Sequence, residues 1–183
     1  MKRAVILLLA TTLLPFCAAS DLNLFDLDGA RIDPFRADSI SVFLFTRTDC
    51  PISNRYAPEV QRIHEEFGEQ GVAFWLVYVD PDESADAIRG HLRDYSYTLA
   101  ALRDPEHALV ARTGVAATPE AAVFVGERMI YRGRIDDWYV DFGKARSAPT
   151  ETDLRDVLQA TIDGERLELR TTRAVGCLIA DLE

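Results

Sequence analysis

The sequence predicts an α/β sandwich built on a mixed sheet. Short apolar runs typical of buried strands alternate with amphipathic segments typical of helices, which indicates crossover connections and parallel strands. Two further strands follow one another around a tight turn before a last helix, which adds an antiparallel hairpin. The chain of 183 residues is 48% hydrophobic, enough for one domain with its own core.

The N-terminal segment, residues 1–20, has the features of a secretory signal. It begins with two basic residues, continues with an apolar run over residues 4–14 and ends with small residues at 17–20. The apolar run is short for a helix that spans a bilayer. Cleavage predicts a periplasmic or secreted protein without a stable membrane span. A retained anchor helix and a lipid anchor on Cys17 are the alternatives.

Composition excludes several classes of protein. Acidic side chains number 30 against 20 basic ones, giving a net charge of −10, and loss of Lys2 and Arg3 with the signal makes it more negative. Such a balance disfavours nucleic acid as a partner. Three cysteines are too few for a disulfide-stapled scaffold. We expect a domain over residues 21–163 and a tail over residues 164–183 that carries Cys177.

The first half of the domain is predicted to hold four elements. In order these are a hairpin over residues 22–33, a buried strand over 39–45, a helix over 54–67 and a buried strand over 72–79. The hairpin turns at Asp28-Gly29, a dipeptide typical of tight turns. The helix has one apolar face, formed by Tyr56, Val60, Ile63 and Phe67.

The second half continues the alternation. The predicted elements are a helix capped by Ser84, a strand over 98–102, a helix over 106–112, a hairpin of strands 121–125 and 129–135, and a helix over 151–162. Thr150 is the expected N-cap of the last helix, with Asp153 at the capping-box position. Residues 136–149 form an acidic and aromatic loop. It is either a rim for a substrate or partner, or a structural loop in which Arg and Asp pair.

Cys50 lies between a buried strand and a helix. Pro51 follows it and suits the first helical turn, where the missing N–H is not needed. A thiolate at this position faces unpaired amide donors and the positive end of the helix dipole, which lowers a thiol pKa. Arg47 and Arg55 would lower it further and Asp49 would oppose them. Cys50 is therefore a candidate nucleophile, and the alternative is an inert cysteine at a strand end.

A second motif, Gly-Val-Ala-Ala-Thr-Pro at residues 114–119, precedes an apolar strand. Together with Cys50, it resembles the thioredoxin-like superfamily, whose members have a reactive cysteine at this junction and a cis-proline before the third main strand. The resemblance implies a thioredoxin-like three-layer α/β/α sandwich with a mixed sheet and an N-terminal β-hairpin. It also implies a substrate groove at Thr118 and cis Pro119, beside which Arg47 and Arg55 are candidate substrate-binding residues.

Within that superfamily the chain looks closest to the redoxin group, which includes the alkyl hydroperoxide reductase/thiol-specific antioxidant relatives. The features that carry this are the turn at Asp28-Gly29, the strand end at residues 77–80 and the run Asp104…His107…Gly114. Residues 49–56, Asp-Cys-Pro-Ile-Ser-Asn-Arg-Tyr, resemble exported bacterial redoxin-domain proteins. The resemblance extends over residues 22–162.

Three positions depart from the patterns of known relatives. Ser53 stands where thioredoxins have a second cysteine, so a mixed disulfide cannot be resolved locally. Arg47 stands where peroxiredoxins have Thr or Ser, which disfavours peroxide reduction. Asn54 stands where copper-delivering assembly proteins have a second cysteine, and the three histidines show no metal-ligand spacing. No metal or cofactor is predicted.

Cys177 is the other cysteine of the chain after the signal segment. It lies in an apolar patch of the tail, Val-Gly-Cys-Leu-Ile at residues 175–179. Three hypotheses remain open for it. Cys177 resolves a mixed disulfide on Cys50, or forms a permanent bridge with Cys50, or is a free or intermolecular thiol.

The sequence therefore predicts an exported thiol oxidoreductase that uses Cys50, with Cys177 or an external thiol to resolve. Its partners would be protein thiols and disulfides or a peroxide. The alternative is a non-catalytic binding module with a thioredoxin fold, or a copper-binding protein of the cell envelope.

Overall fold

The computed structural model describes residue 22, residues 24–35 and residues 39–180. The predicted signal segment, with Cys17, lies outside these residues. The described helices are α1 (Pro51–Gly68), α2 (Ala85–Asp94), α3 (Ala108–Thr113) and α4 (Asp153–Ile162). The described strands are β1 (Ile40–Thr46), β2 (Ala73–Tyr78), β3 (Ala100–Arg103), β4 (Ala117–Thr118), β5 (Glu120–Val125), β6 (Arg128–Gly133), β7 (Tyr139–Asp141), β8 (Lys144–Ala145), β9 (Arg170–Thr171) and β10 (Cys177–Leu178).

The main sheet is mixed, in the order β3-β2-β1-β5-β6-β9. Strands β1, β2 and β3 run parallel, and β5 is antiparallel to both of its neighbours, β1 and β6. Two pairs lie outside this sheet, β10 with β4 and β7 with β8. The predicted mixed sheet and α/β class are confirmed.

The two faces of the sheet are covered by different helices. Alternating residues of β1 point to opposite faces, because side chains along a strand alternate. Val42 and Leu44 pack with side chains of α1, α2 and α4. Phe43 and Phe45 pack with Leu109 of α3 on the other face. Burying each of these side chains contributes about 1.5–3 kcal/mol, so the sandwich is held from both faces.

Helix α1 begins three residues earlier than the sequence suggested. Cys50 is its N-cap, with extended backbone (φ −80°, ψ 109°), and Pro51 occupies the first turn. The apolar periodicity starts only at Tyr56 and does not register the first turn, so the predicted start at residue 54 is wrong. The consequence is that Cys50 itself, and not a loop residue before it, lies at the helix terminus.

The predicted N-terminal hairpin is reduced to a turn. Phe25 forms single bridge pairs with Arg31 and with Arg103, and Ile32 N–H donates to the Leu24 carbonyl. The exchange between Phe25 and Arg103 joins this turn to the edge of β3. The segment therefore closes one edge of the sheet, with too few paired residues to form strands.

The capping predictions have opposite outcomes. Ser84 caps α2, accepting from Ala87 N–H at 3.2 Å. Thr152, not Thr150, is the N-cap of α4, and its side chain makes no capping bond. Thr150 instead donates its hydroxyl to Asp137 at 2.6 Å. The prediction for Thr150 is wrong because its hydroxyl bonds to this distant residue and not to the start of the helix.

Asp153 does not complete a capping box. It is fully buried and ion-paired with Arg134, at 2.6 Å, and with Arg170. Arg170 belongs to β9, so this carboxylate ties the start of α4 to the tail. The other predicted elements differ from the observed ones by one or two residues at their ends.

The tail folds back onto the domain. Strand β9 joins the edge of the sheet beside β6, and β10 reaches β4. Gly133 allows the close passage, since a Cβ at this position would lie 2.1 Å from the Thr172 hydroxyl. Over the described residues, we find no helix with the length and apolarity that crossing a membrane requires.

Candidate active site

Cys50 is fully buried at the junction of β1 and α1. Its Sγ donates a hydrogen bond to the Thr118 carbonyl oxygen at 3.1 Å. Its own carbonyl accepts the first helical bond, from Asn54 N–H at 3.0 Å. Cys50 is thus fixed at the N-terminus of α1, where a negative charge is stabilised by unpaired amides and the helix dipole.

Thr118 ends β4, and the peptide bond between it and Pro119 is cis. The bond leads directly into β5 at Glu120, next to β1 in the sheet. Glu120 is buried, and its carboxylate accepts from the N–H groups of Ala116 and Ala117 at 2.9 and 3.3 Å. The loop that faces Cys50 is therefore fastened across the proline, because the Glu120 carboxylate after it accepts from two N–H groups before it.

Cys177 reaches the same place from the tail. Strand β10 pairs antiparallel with β4, which sets Cys177 opposite Thr118. Ile179 N–H donates to the Ala116 carbonyl at 3.0 Å. Both cysteines are free thiols, and both meet Thr118, Cys50 through its sulfur and Cys177 through strand pairing.

Hydrogen bonds decide the ionisation of Cys50. Burial raises its pKa, but bonds from Cys177, Ser53 and Thr118 outweigh burial, and the pKa lies below its ordinary value. Among the described residues, the Ser53 and Thr118 hydroxyls have no hydrogen-bond partner. Both hydroxyls are therefore available to the sulfur when it loses its proton. Cys50 is thus a more acidic thiol than an ordinary cysteine.

The pKa of Cys177 shifts in the opposite direction. Burial, the hydrogen bond with Cys50 and the negative charge on Cys50 raise the pKa of Cys177 to about 12. The two pKa values therefore shift in opposite directions, and Cys50 is the more acidic thiol of the two.

The two arginines predicted near the site do not act on Cys50. Arg47 is ion-paired with Asp49 at 2.9 Å and with Asp80 at 3.2 Å, so its charge is neutralised locally. Arg55 Nη1 lies 3.5 Å from the Tyr139 hydroxyl. The predicted electrostatic support of Cys50 by these arginines is replaced by the hydrogen bonds above. Arg55 remains beside the site and lines a surface recess.

That recess lies next to the start of α1 and has a volume of about 220 Å³. It is lined by Pro51, Ile52, Arg55, Tyr139, Phe142, Gly143 and Ala145. Phe142 is 66% exposed. The loop over residues 136–149 thus borders the site, as one hypothesis held. It also pairs Arg146 with Asp137 at 3.1 Å, as the other held.

A buried network behind Cys50 was not predicted. Asn54 donates to the Thr48 carbonyl at 3.0 Å and accepts from His91 Nε2 at 2.8 Å, while His91 Nδ1 accepts from the Tyr78 hydroxyl at 2.8 Å. These partners define the His91 tautomer, because the Asn54 amide nitrogen is already donating. Burial lowers the pKa of His91 and keeps the ring neutral. The network fixes the loop that precedes Cys50.

Glu83 holds the same loop from another side. Its carboxylate accepts from Thr48 N–H at 2.6 Å. Burial raises the pKa of Glu83, against that hydrogen bond. No spacing in the sequence predicted a role for Asn54 or Glu83, because their hydrogen-bond partners lie in other parts of the chain. The sole sequence signal was that Asn54 follows Cys50 by one helical turn.

The histidines serve packing and hydrogen bonding. His64 packs against the Phe74 ring at 5.3 Å, and His107 Nε2 bonds with the Val79 carbonyl at 2.7 Å. Within the described part of the chain, no group of three or more His, Cys, Asp or Glu side chains is arranged to hold a metal ion.

Solved structures share this fold. An uncharacterized conserved protein from Geobacillus kaustophilus is 21% identical, with 88% of each chain covered and a TM-score of 0.73. A hypothetical protein from Sinorhizobium meliloti 1021 is 22% identical, with 85% of this chain and 88% of that one covered and a TM-score of 0.72. A secreted Mycobacterium tuberculosis disulfide oxidoreductase homologous to E. coli DsbE is 18% identical, with 80% and 99% covered and a TM-score of 0.52.

These likenesses identify a thioredoxin-like fold. Among curated proteins, none matches the chain significantly. The model of the AhpC/TSA family matches residues 17–133, which include β1, Cys50, the cis-proline loop and β5. The match spans more than half of the chain, and the protein therefore belongs to the AhpC/TSA family of thioredoxin-like redoxin proteins.

Proposed function

We propose that this protein is an exported thiol oxidoreductase with two working cysteines, in which Cys50 attacks a disulfide and Cys177 resolves the product. The observation that carries the proposal is that both thiols meet at Thr118, whose carbonyl accepts from the Cys50 sulfur and whose strand partner is Cys177. Membership of the AhpC/TSA family and the likeness to the secreted disulfide oxidoreductase support thiol chemistry.

The proposed reaction has two exchanges. The Cys50 thiolate attacks one sulfur of a partner disulfide, forms a mixed disulfide with it and expels the other partner sulfur as a thiolate. Cys177, as a thiolate, then attacks the Cys50 sulfur. The mixed disulfide breaks, a Cys50–Cys177 disulfide forms, and the second partner sulfur leaves as a thiolate that takes up a proton. The partner gains two electrons and the protein loses two, which an external dithiol restores.

The different acidities of the two thiols order these two exchanges. While Cys50 is a thiolate, its charge and its hydrogen bond help hold the pKa of Cys177 at about 12, so Cys177 does not attack first. Once Cys50 is in a mixed disulfide, that charge is gone and Cys177 ionises more readily. The expelled partner thiolate is a base for the proton. The geometry therefore supports Cys50 as the first nucleophile and Cys177 as the second.

A disulfide suits the site better than a peroxide. Arg47 occupies the position of the peroxiredoxin Thr or Ser and is bound to Asp49 and Asp80, so it is not turned to a peroxide at Cys50. Thr118 ends a strand whose edge already pairs with an extended segment of the chain itself, so a polypeptide disulfide suits the site. Protein disulfides are the proposed substrates.

The experiment is a stoichiometry measurement with dithiobis(nitrobenzoate) on the reduced protein at neutral pH, with Cys17→Ser in every variant. The chain with both Cys50 and Cys177 should release two equivalents of the coloured thiolate and retain none, and its mass should fall by two hydrogens. Cys177→Ser should release one equivalent and retain one on Cys50. Leu169→Ser, an exposed residue outside β10, serves as the matched control and should behave as the chain with both cysteines.

Two outcomes would contradict the proposal. Wild type that retains two adducts, one on each cysteine, has no resolving step. If Cys50 of the wild type fails to react at neutral pH, the protein is the binding module of the alternative hypothesis. If the protein turns over hydrogen peroxide faster than a peptide disulfide, the substrate is a peroxide and not a protein disulfide.

Export is the remaining part of the proposal. Its support is the order of basic, apolar and small residues over positions 1–20. N-terminal sequencing of the protein recovered from a periplasmic fraction tests it. Cleavage near residues 19–20 is the expected result, and an intact N-terminus in the cytoplasmic fraction would contradict it.

A further inference from the structure

The edge of β4 is occupied by the protein's own tail. Cys177 lies opposite Thr118 and Leu178 opposite Ala117, and Ile179 N–H donates to the Ala116 carbonyl. The backbone groups of residues 116–118 that face outward are therefore used by β10. An extended segment of any partner that paired with this edge would need the same groups.

The tail also closes the route to Cys50. Cys50 is fully buried, and the Thr118 carbonyl that accepts its hydrogen bond lies directly against Gly176. A Cβ added to Gly176 would lie 2.1 Å from that carbonyl oxygen, so only glycine fits. With the tail in place, the sulfur of a partner has no approach to Cys50.

The attachment of the tail is uneven along its length. Thr172 is anchored by three contacts, with the Arg132 carbonyl at 3.0 Å, the Tyr131 hydroxyl at 2.6 Å and Arg134 N–H at 3.1 Å. Strand β10, by contrast, is two residues long, and its Leu178 side chain is 77% exposed. Residues 173–176 connect Thr172 to β10. The tail is thus fixed by several hydrogen bonds at Thr172 and by a two-residue strand at β10.

We propose that β10 is a built-in competitor for the edge of β4, the docking strand, and that an extended cysteine-containing segment of a partner protein must displace β10 to reach Cys50. This inference rests on the proposed function, because it names the partner class and the control of the same site. Access to Cys50 is then set by competition between two strands for one edge.

The tail shows what the docking strand accepts. Val175, Cys177 and Ile179 all pack toward the domain, while Leu178 points to solvent, the alternation of a half-buried strand. Gly176 is required by its contact with the Thr118 carbonyl. The preferred partner segment therefore has a glycine just before its cysteine and apolar residues two positions on either side.

Competition also couples resolution to release. Cys177 can attack the mixed disulfide only from β4, the place where the partner strand is bound. Its return re-forms the β10–β4 pair and removes the partner strand from the edge. Bond exchange at Cys50 and strand exchange at β4 are thus one event.

The test is a binding assay without redox chemistry, in the full-length reduced chain. The probe is a fluorescent peptide of residues 174–180 that carries Cys177→Ser, measured by fluorescence anisotropy. Gly176→Val should bind the probe roughly tenfold more tightly than wild type, because the loss of a few hydrogen bonds frees the edge. Ala180→Val, beyond the paired residues, is the matched control and should bind as wild type. A probe that also carries Gly176→Val should not bind either protein.

A second readout uses a single reporting thiol. In a background that carries both Cys17→Ser and Cys177→Ser, Gly176→Val should raise the rate of Cys50 alkylation by iodoacetamide roughly tenfold, since a freed edge exposes the sulfur. Circular dichroism checks the fold. If Gly176→Val does not fold, Ile179→Pro replaces it, because it removes the N–H that bonds to Ala116.

The inference is overturned if the probe binds wild type and the displaced-tail variant equally, or if alkylation is unchanged. These results are separable from the proposed function. If the probe binds but the protein performs no disulfide exchange, the docking-strand inference holds and the proposed oxidoreductase function is wrong. Exchange without probe binding or faster alkylation does the reverse.

Discussion

The Sγ of Cys50 donates to the carbonyl oxygen of Thr118 across 3.1 Å. This bond joins the N-terminus of α1 to the end of β4, two elements far apart in the sequence. Because Thr118 is also paired with Cys177, one residue links both thiols. The Thr118 hydroxyl and the Ser53 hydroxyl complete the surroundings of the sulfur. The two cysteines are therefore organised around a single groove residue.

Replacing Ser53 should weaken the Cys50 nucleophile. Ser53→Ala removes a hydroxyl and leaves the Cys50 thiolate with fewer donors, so the pKa of Cys50 should rise. A hydrogen bond worth about 1 kcal/mol corresponds to a roughly fivefold smaller thiolate population. The pH dependence of iodoacetamide alkylation measures this.

Ser147→Ala, in an exposed loop, is the control for the same change of side chain. It should leave the alkylation profile as in wild type. An unchanged profile for Ser53→Ala would show that its hydroxyl does not support the thiolate.

Asp137 should make stability depend on acid pH. The Thr150 hydroxyl, the N–H groups of Thr150 and Glu151, and Arg146 hold the pKa of this buried carboxyl well below its usual range. A carboxyl with a lowered pKa in the folded state adds stability above its unfolded pKa of about 4, and that contribution is lost as the pH falls. Asp137→Asn should lower the free energy of unfolding at neutral pH by about 1–3 kcal/mol.

Urea unfolding at neutral and acid pH measures both effects. The difference between variant and wild type should shrink as the pH falls below about 4, because wild type then loses its carboxylate as well. The exposed Asp82→Asn is the control. A variant deficit that stays constant with pH would contradict the assignment.

Asn54 should stabilise the loop before Cys50. Asn54→Ala leaves His91 Nε2–H and the Thr48 carbonyl without their partner, which should cost about 1–3 kcal/mol of unfolding free energy. The His91 ring should also lose its defined tautomer, which nitrogen NMR reports directly. Glu65→Ala, exposed on the same helix, should change neither measurement. Retention of the Nε2–H tautomer in Asn54→Ala would contradict the network.

Phe142 should contribute to partner binding. It is 66% exposed and lines the recess beside Pro51 and Arg55. Loss of a contact that binds substrate and transition state equally raises KM and leaves kcat unchanged. Phe142→Ser should therefore raise KM for a peptide disulfide by about tenfold, the value of one well-buried apolar contact. Leu169→Ser, also exposed and apolar, should not. A fall in kcat at constant KM would place Phe142 in another role.

The local parts of the fold followed from local signals. Pro51 indicated that Cys50 stands at a helix start, and Ser84 indicated the cap of α2. Both depend on neighbours within a turn of helix, which a sequence shows directly. The cap at Thr150 was wrong because Asp137, fixed from the other end of a loop, competes for its hydroxyl.

The positions of the strands in the tail could not be predicted from local signals. Strands β9 and β10 are two residues long, too short for periodicity to register. Their positions come from Arg170 on Asp153 and from the fit of Gly176 against Thr118, both contacts between distant segments. The sequence could name Cys177 as a candidate partner of Cys50, but its place opposite Thr118 depends on that fit.

A redox titration of the Cys50–Cys177 pair is the most direct test of the account. The protein is equilibrated in buffers of reduced and oxidised dithiothreitol, and the fraction of disulfide is read by mass after acid quenching. A two-thiol couple predicts a reversible transition in which a tenfold change of the buffer ratio corresponds to about 30 mV. Cys177→Ser should abolish the transition. Failure of the wild-type chain to form a Cys50–Cys177 disulfide at any ratio would contradict the central claim.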